Sequence, residues 1–241
     1  MFFYVIKRST ILIILTCFLV TAIMLDVGKT KLVDHIMLRH QSQTLVLDAG
    51  HGGFDGGAVG ISGTTEQDIN LSIAQKTEAL ANFLGIPTQM TRSDSEALDY
   101  DPEKTIRQNK IADIKARERV VEKTPDPILI SIHLNKFQDS QYSGAQVFYS
   151  RNHADSQVLA NALQDSLRTG LDPENQRKEK AASQAIYLMK NSTCPAVIVE
   201  CGFLSNPAEE KLLGQEMYHK RIAVCILNGY LAYQGQKEIL T

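Results

Sequence analysis

The sequence predicts an α/β fold: one domain with a mostly parallel sheet flanked by helices, behind an N-terminal apolar anchor helix. Three observations lead there. From Thr44 onward, short β-rich runs alternate with helical patterns, the succession that builds strand–helix–strand units. Two of the runs, residues 128–133 and 196–201, are dense in apolar and β-branched side chains, as strands covered on both faces are. One segment places Ile69, Ile73, Thr77, Leu80 and Leu84 at spacings of three and four, a single stripe along a helix.

In chain order, residues 44–48 read as a strand that ends in a glycine-rich turn, and the stripe from Ile69 to Leu84 marks the helix after it. Residues 87–91 read as a short strand and residues 103–123 as a charged amphipathic helix. The buried run 128–133 follows, then a strand over 144–150 and a helix over 155–169. Residues 172–183, charged and containing Pro173, are the one long loop candidate. The buried strand 196–201 precedes a final helix whose inner face holds Tyr218, Ile222, Cys225, Ile226 and Gly229. With no internal repeat or low-complexity tract, residues 44–235 are expected to form one domain.

The N-terminus differs in kind. Lys7 and Arg8 precede the uncharged run 9–25, which as a helix spans roughly 25 Å. Basic residues before an apolar run are the layout of a signal peptide or signal-anchor. No small-x-small cleavage site precedes Asp26, which favours an uncleaved membrane anchor. Cys17 reads as a membrane-embedded thiol, because the apolar run continues past it and Thr16 is a poor residue before an acylation site. Residues 26–43 are polar and read as a stalk. The chain is therefore expected to be exported, and either membrane-anchored or secreted.

Composition sets limits. Hydrophobic residues make up 44% and charged residues 22% of the 241, which excludes a disordered chain. The net charge of −2 excludes a nucleic-acid binder working by bulk positive charge. Removing residues 1–25 takes away two basic and no acidic residues, so an anionic polymer must be held by local contacts. Four cysteines are too few for a disulfide-stapled scaffold, and the three beyond the anchor read as buried small hydrophobes.

Four residues sit where α/β sheets put their sites, at the C-terminal ends of strands. His51 lies in the turn Asp48-Ala49-Gly50-His51-Gly52-Gly53, whose glycines leave one side of the imidazole open. Neither a GxGxxG nor a Walker spacing is present, which argues against a nucleotide-binding turn. Glu66 starts the helix through Asn70, where the helix dipole alone would also favour a carboxylate. His133 and Glu200 end the two apolar strands, and a polar group there needs a partner. Two imidazoles and one carboxylate make a donor set that suits zinc and leaves a fourth position open, while the other carboxylate is free to act as a general base. Asp48 is a candidate for orienting a ligand, Asn135 and Arg92 for touching substrate. His153 and His219 read as solvated.

These motifs resemble the zinc-dependent N-acetylmuramoyl-L-alanine amidases of bacterial cell walls, of the amidase-3 type. The resemblance runs from about Thr44 to Tyr233. It rests on Leu47-Asp48-Ala49-Gly50-His51-Gly52-Gly53, Glu66-Gln67-Asp68-Ile69-Asn70-Leu71, Thr91-Arg92, Ser131-Ile132-His133-Leu134-Asn135 and Val199-Glu200-Cys201-Gly202-Phe203-Leu204-Ser205-Asn206. It implies a central twisted, six-stranded sheet, zinc ligands at His51, Glu66 and His133, and a catalytic glutamate at Glu200. The substrate it implies is the peptidoglycan glycan strand with its stem peptide, cut between the lactyl group of N-acetylmuramic acid and L-alanine. The His-Leu-Asn and Glu-Cys-Gly-Phe-Leu-Ser-Asn variants look most like the members acting on the spore cortex, where the product leads towards muramic-δ-lactam.

Self-inhibited members carry an extra helix between the positions of Asn135 and Gly144. Here only residues 136–143 lie between them, too few for a helix to stand alone. Control is expected from elsewhere, such as an accessory or regulatory protein. Two competing readings are a zinc carboxypeptidase-like peptidoglycan hydrolase, which needs an arginine clamp such as Arg92 or Arg107, and a catalytically silent wall-binding or activator protein.

Overall fold

The computed structural model describes residues 43–240. The expected anchor, and all of the stalk but its last residue, lie outside the described residues. Among those described, no helix is long and apolar enough to cross a membrane.

Strand β1 (Thr44–Ala49) leads through the glycine-rich turn to helix α1 (Glu66–Phe83), which returns the chain to β2 (Thr88–Met90). Helix α2 (Ile106–Lys123) precedes the longest strand, β3 (Pro127–Asn135). Next come β4 (Gln146–Tyr149), α3 (Asp155–Leu171), β5 (Lys180–Ala181) and α4 (Tyr187–Asn191). Strand β6 (Ala196–Phe203), α5 (Pro207–Leu213) and α6 (Glu216–Leu240) complete the domain. The six strands form one sheet in the order β2-β1-β3-β6-β4-β5. All neighbours pair in parallel except β4 and β6, which run antiparallel.

Helix α2 begins at Ile106, not Glu103, for a local reason. Thr105 caps it with a reciprocal pair of bonds to Gln108, which satisfies two otherwise orphaned N–H groups. The 172–183 stretch contains β5, which at two residues is too short for any periodic signal. No helix forms between β3 and β4.

Alternation along the strands divides the core. Leu45 and Leu47 of β1, Ile130 and Ile132 of β3, and Val197 and Val199 of β6 face one side, where they join Ile73, Leu159, Leu163, Ile222 and Ile226 of α1, α3 and α6. Val46, Leu129 and Ile198 face the other side and meet Val121 of α2 and Leu188 and Met189 of α4 in a smaller cluster. Because side chains alternate with a period of two, the second face also receives Asp48, Ser131, His133 and Glu200. These four follow the apolar residues of their own strands towards the C-terminal edge. The sheet order places β1 between β2 and β3, so successive connections leave β1 in opposite directions. Such a switch point opens a crevice at the strand ends.

Candidate metal centre

His51 is held by its backbone as much as by its side chain. The turn after β1 puts it at φ 63°, in the left-handed region that residues with a β-carbon seldom adopt. Buried Arg117 of α2 secures the turn: its guanidinium donates to the carbonyl oxygens of Ala49 at 2.7 Å and His51 at 2.5 Å. The same guanidinium donates to Asp48 at 2.7 Å and Asp113 at 2.8 Å. His51 Nδ1 lies 3.0 Å from the Asp55 carboxylate, which fixes the ring and leaves Nε2 3.3 Å from Glu66.

Glu66, at the first position of α1, is 3% exposed and receives backbone N–H bonds from Ala58 at 2.8 Å and Leu134 at 2.9 Å. It also faces His133 Nδ1 at 3.0 Å and accepts from the Asn70 amide at 3.3 Å. The two imidazole rings meet edge to face with centroids 5.0 Å apart. One ligand atom from each of His51, Glu66 and His133 falls within 4.8 Å of the others. Both imidazoles remain partly exposed, so the cluster is reachable from the crevice. Two glycines make the approach close enough. A β-carbon on Gly50 would stand 2.3 Å from the His133 ring, and one on Gly57 would stand 2.6 Å from a Glu66 oxygen.

Glu200 is the register partner of His133 on the adjacent strand. Its Oε2 is buried and has no hydrogen-bond partner among the described residues. A carboxylate oxygen stranded in this way is costly unless a cation or a proton comes to it. Burial raises the Glu200 pKa and Glu66 adds to the rise, against the pull of the imidazoles, to about 7. Burial opposes charge on His51, but the hydrogen bonds it donates to Asp55 and Glu66 outweigh it and lift its pKa to about 9. Glu66 is likewise desolvated, yet His133 and His51 hold its carboxyl far below the usual carboxylate range. Two imidazoles, an ionised carboxylate between them and an unpartnered carboxylate beside them fit a zinc ion with an open coordination position.

The remaining candidates separate. Asp48 bonds Arg117, Ser131 and Thr91, not an imidazole, and so supports His51 only through Arg117. Asn135 ends β3 and lines a cavity of about 420 Å³ together with Glu200. Arg92 is a correction to the expectation that it meets a substrate carboxylate. It is 3% exposed, and its guanidinium is spent on the carbonyls of Ala49, Gly50, Gln67 and Asp94. His219 is also corrected: it is buried, bonded to Ser72 and Leu213. Cys194, Cys201 and Cys225 are free and buried, as expected. Asp55 and Arg117 were not singled out from the sequence. For Asp55 a signal was present, a carboxylate four residues after a turn histidine.

Comparison with known proteins accords with this site. Residues 45–231 match the amidase-3 family, described as N-acetylmuramoyl-L-alanine amidase. The germination-specific N-acetylmuramoyl-L-alanine amidase of Bacillus subtilis is 37% identical over 193 residues, 80% of each chain. The CwlD amidase of Clostridioides difficile, solved in complex with the GerS lipoprotein, superposes with a TM-score of 0.77 at 40% identity, covering 80% of this chain and 98% of that one. The catalytic domain of CwlV, an N-acetylmuramoyl-L-alanine amidase from Bacillus (Paenibacillus) polymyxa, gives a TM-score of 0.66 at 29% identity with the same coverage. The chain belongs to the N-acetylmuramoyl-L-alanine amidase family.

Proposed function

We propose that this family member cleaves the amide between the lactyl carbonyl of N-acetylmuramic acid and the L-alanine of the stem peptide, with His51, Glu66 and His133 holding zinc and Glu200 moving the proton. The observation that carries the reading is the buried, unpartnered Glu200 Oε2 beside two imidazoles and a carboxylate. Zinc held there supplies a Lewis acid that acidifies water and polarises the scissile carbonyl.

The chain's own residues do the rest. Glu200, with a pKa raised to about 7 by burial, is poised near neutrality to take a proton and to return it. It takes the proton of the attacking water and delivers it to the alanine nitrogen, which must be protonated to leave as an amine. Glu66 stays ionised because both imidazoles face it. Asp55 holds His51 by Nδ1, so that Nε2 is the nitrogen presented. Asn135, which lines a cavity with Glu200, hydrogen-bonds the substrate in this reading.

The biological setting follows the germination-specific relative: peptidoglycan of the spore cortex, where the peptide-free muramic acid leads towards muramic-δ-lactam. The enzyme is exported, with residues 1–25 as a signal-anchor or signal peptide that leaves it membrane-anchored or secreted. An accessory protein regulates it, a reading supported by the lipoprotein bound to the CwlD relative. A carboxypeptidase-like alternative loses its first clamp candidate, because Arg92 is buried with its guanidinium committed to four backbone carbonyls.

The test is zinc content together with mass spectrometry of peptidoglycan treated with the protein. The expected result is one zinc per chain and newly exposed N-terminal L-alanine; release of a C-terminal residue would overturn the reading. Glu200→Ala is expected to keep its zinc and to lose activity by about 100-fold or more.

A further inference from the structure

Glu200 stands between two cavities, each of which also touches Ile186 and Ile198. One, of about 380 Å³, holds His51, His133 and the far side of the metal cluster. Its outer cation, Lys110, is already neutralised by Asp55 at 3.0 Å. Its inner cation, Arg117, is bound to Asp48 and Asp113. The other cavity, of about 420 Å³, has an apolar floor of Phe148, Ile186 and Ile198 and a polar wall of Asn135, Gln184 and Arg151. Arg151 is exposed and, among the described residues, makes no hydrogen bond or ion pair.

The two cavities therefore differ in charge. The sugars of the proposed glycan are uncharged apart from substituents, whereas a stem peptide carries free carboxylates along its length. We propose that the cavity beyond Glu200 is the stem-peptide subsite, and that Arg151 pairs there with a peptide carboxylate remote from the scissile bond. This rests on the reading of the chain as an amidase and adds the direction in which substrate lies and the length of peptide it needs.

Register supplies the length. Gln146 of β4 is paired with Glu200, and the backbone N–H of Ser150 donates to Ala196. Arg151 lies two residues past the end of β4 and five beyond Gln146, which sets it at most about 16 Å from the level of Glu200 at ~3.3 Å per residue. An extended peptide covers that distance, less the reach of the arginine itself, in about three to five residues. The carboxylate that meets Arg151 accordingly belongs to the third residue of the stem or later. That separation is also too great for the clamp of an exopeptidase, which must grip a carboxylate one residue from the bond it cuts.

The test compares muramoyl substrates bearing a dipeptide or a tetrapeptide stem, using the full zinc-loaded chain and its Arg151→Ala and Arg151→Lys variants. A charge-assisted bond of ordinary strength corresponds to about tenfold in affinity. Arg151→Ala is expected to raise KM for the tetrapeptide substrate about tenfold with kcat little altered. The ratio of kcat/KM for long over short stems should fall by the same factor, and Arg151→Lys should restore part of it. An unchanged ratio would overturn the proposal while leaving the amidase reading intact. Calorimetric titration with the free stem tetrapeptide separates the two: weaker binding to Arg151→Ala supports the subsite even if no substrate is cleaved, and equal binding refutes it.

Discussion

The two faces of the sheet do different work with the same strands. Towards α1, α3 and α6, Leu47, Ile130, Ile132 and Val199 are fully buried among apolar side chains. One residue along each strand, on the opposite face, stand Asp48, Ser131, His133 and Glu200. The dry face needs only shape and volume, each buried aliphatic side chain contributing about 1.5–3 kcal/mol. The wet face needs every polar atom answered, and it answers nearly all of them: Asp48 by Arg117, Ser131 and Thr91, and Glu66 by two backbone N–H groups and two imidazoles. Among the carboxylates Glu200 Oε2 is left over, alongside the amide oxygens of Asn70 and Gln67. A network that satisfies its other carboxylates and strands one oxygen beside the imidazoles has its unsatisfied capacity where chemistry is wanted.

Three measurements test how far the faces are independent. The largest effect is expected from Arg117→Met, which strands the buried Asp48 carboxylate and releases the His51 turn. Burial opposes ionisation of Asp48, but Arg117 and two hydroxyls hold its pKa down to about 2. Removing one partner of such a pair costs about 3–5 kcal/mol, read by chemical denaturation, and zinc affinity should fall with it. Removing Asp48 as well, with an apolar replacement, should recover much of the stability without restoring the metal site. Recovery of both would show that the turn does not depend on Arg117.

Ile130→Ala, on the dry face of the same strand, should cost about 2–5 kcal/mol. Folded protein at low temperature should nonetheless bind zinc with unaltered stoichiometry. Loss of zinc from the still-folded variant would mean that the faces are coupled through β3.

The smallest effect concerns pH. Hydrogen bonds donated to Asp55 and Glu66, working against burial, raise the His51 pKa to about 9 from 6.5. In the zinc-free protein this imidazolium stabilises the fold fully below pH 6.5, and the contribution disappears as pH rises through about 9. Zinc requires the neutral ring, so binding below pH 9 must expel the proton, and affinity should rise about tenfold per pH unit from 7 to 8 for that one proton. Calorimetry in buffers of different ionisation enthalpy measures the release directly. An absence of proton release at pH 7 would overturn a protonated His51 whose proton zinc displaces.

Much of this was legible in advance. The longer elements between β1 and β6 follow from alternation and stripe patterns, and His51, Glu66, His133 and Glu200 stand out as polar residues closing apolar strands or opening a helix. Asp55 apart, the residues and elements that are not legible in the sequence have no local signature. Arg117 is 2% exposed and Arg119 is 49% exposed, yet both sit in one charged amphipathic helix and look alike in the sequence. Arg92 reads as a surface cation, and three of its four backbone carbonyl partners, at Ala49, Gly50 and Gln67, are brought to it from distant segments of the chain. β5 and α4, of two and five residues, are shorter than the periods by which strands and helices are recognised.

The sequence by itself determined the sheet, its two faces and the four side chains at its edge, because alternation and strand ends are properties of neighbours along the chain. Tertiary structure alone decided which charges are buried, that Asp55 and Arg117 brace the histidine turn, and that Arg151 stands free in a cavity shared with Glu200. Burial and pairing of a long charged side chain depend on what other segments bring to it, and no local pattern records that.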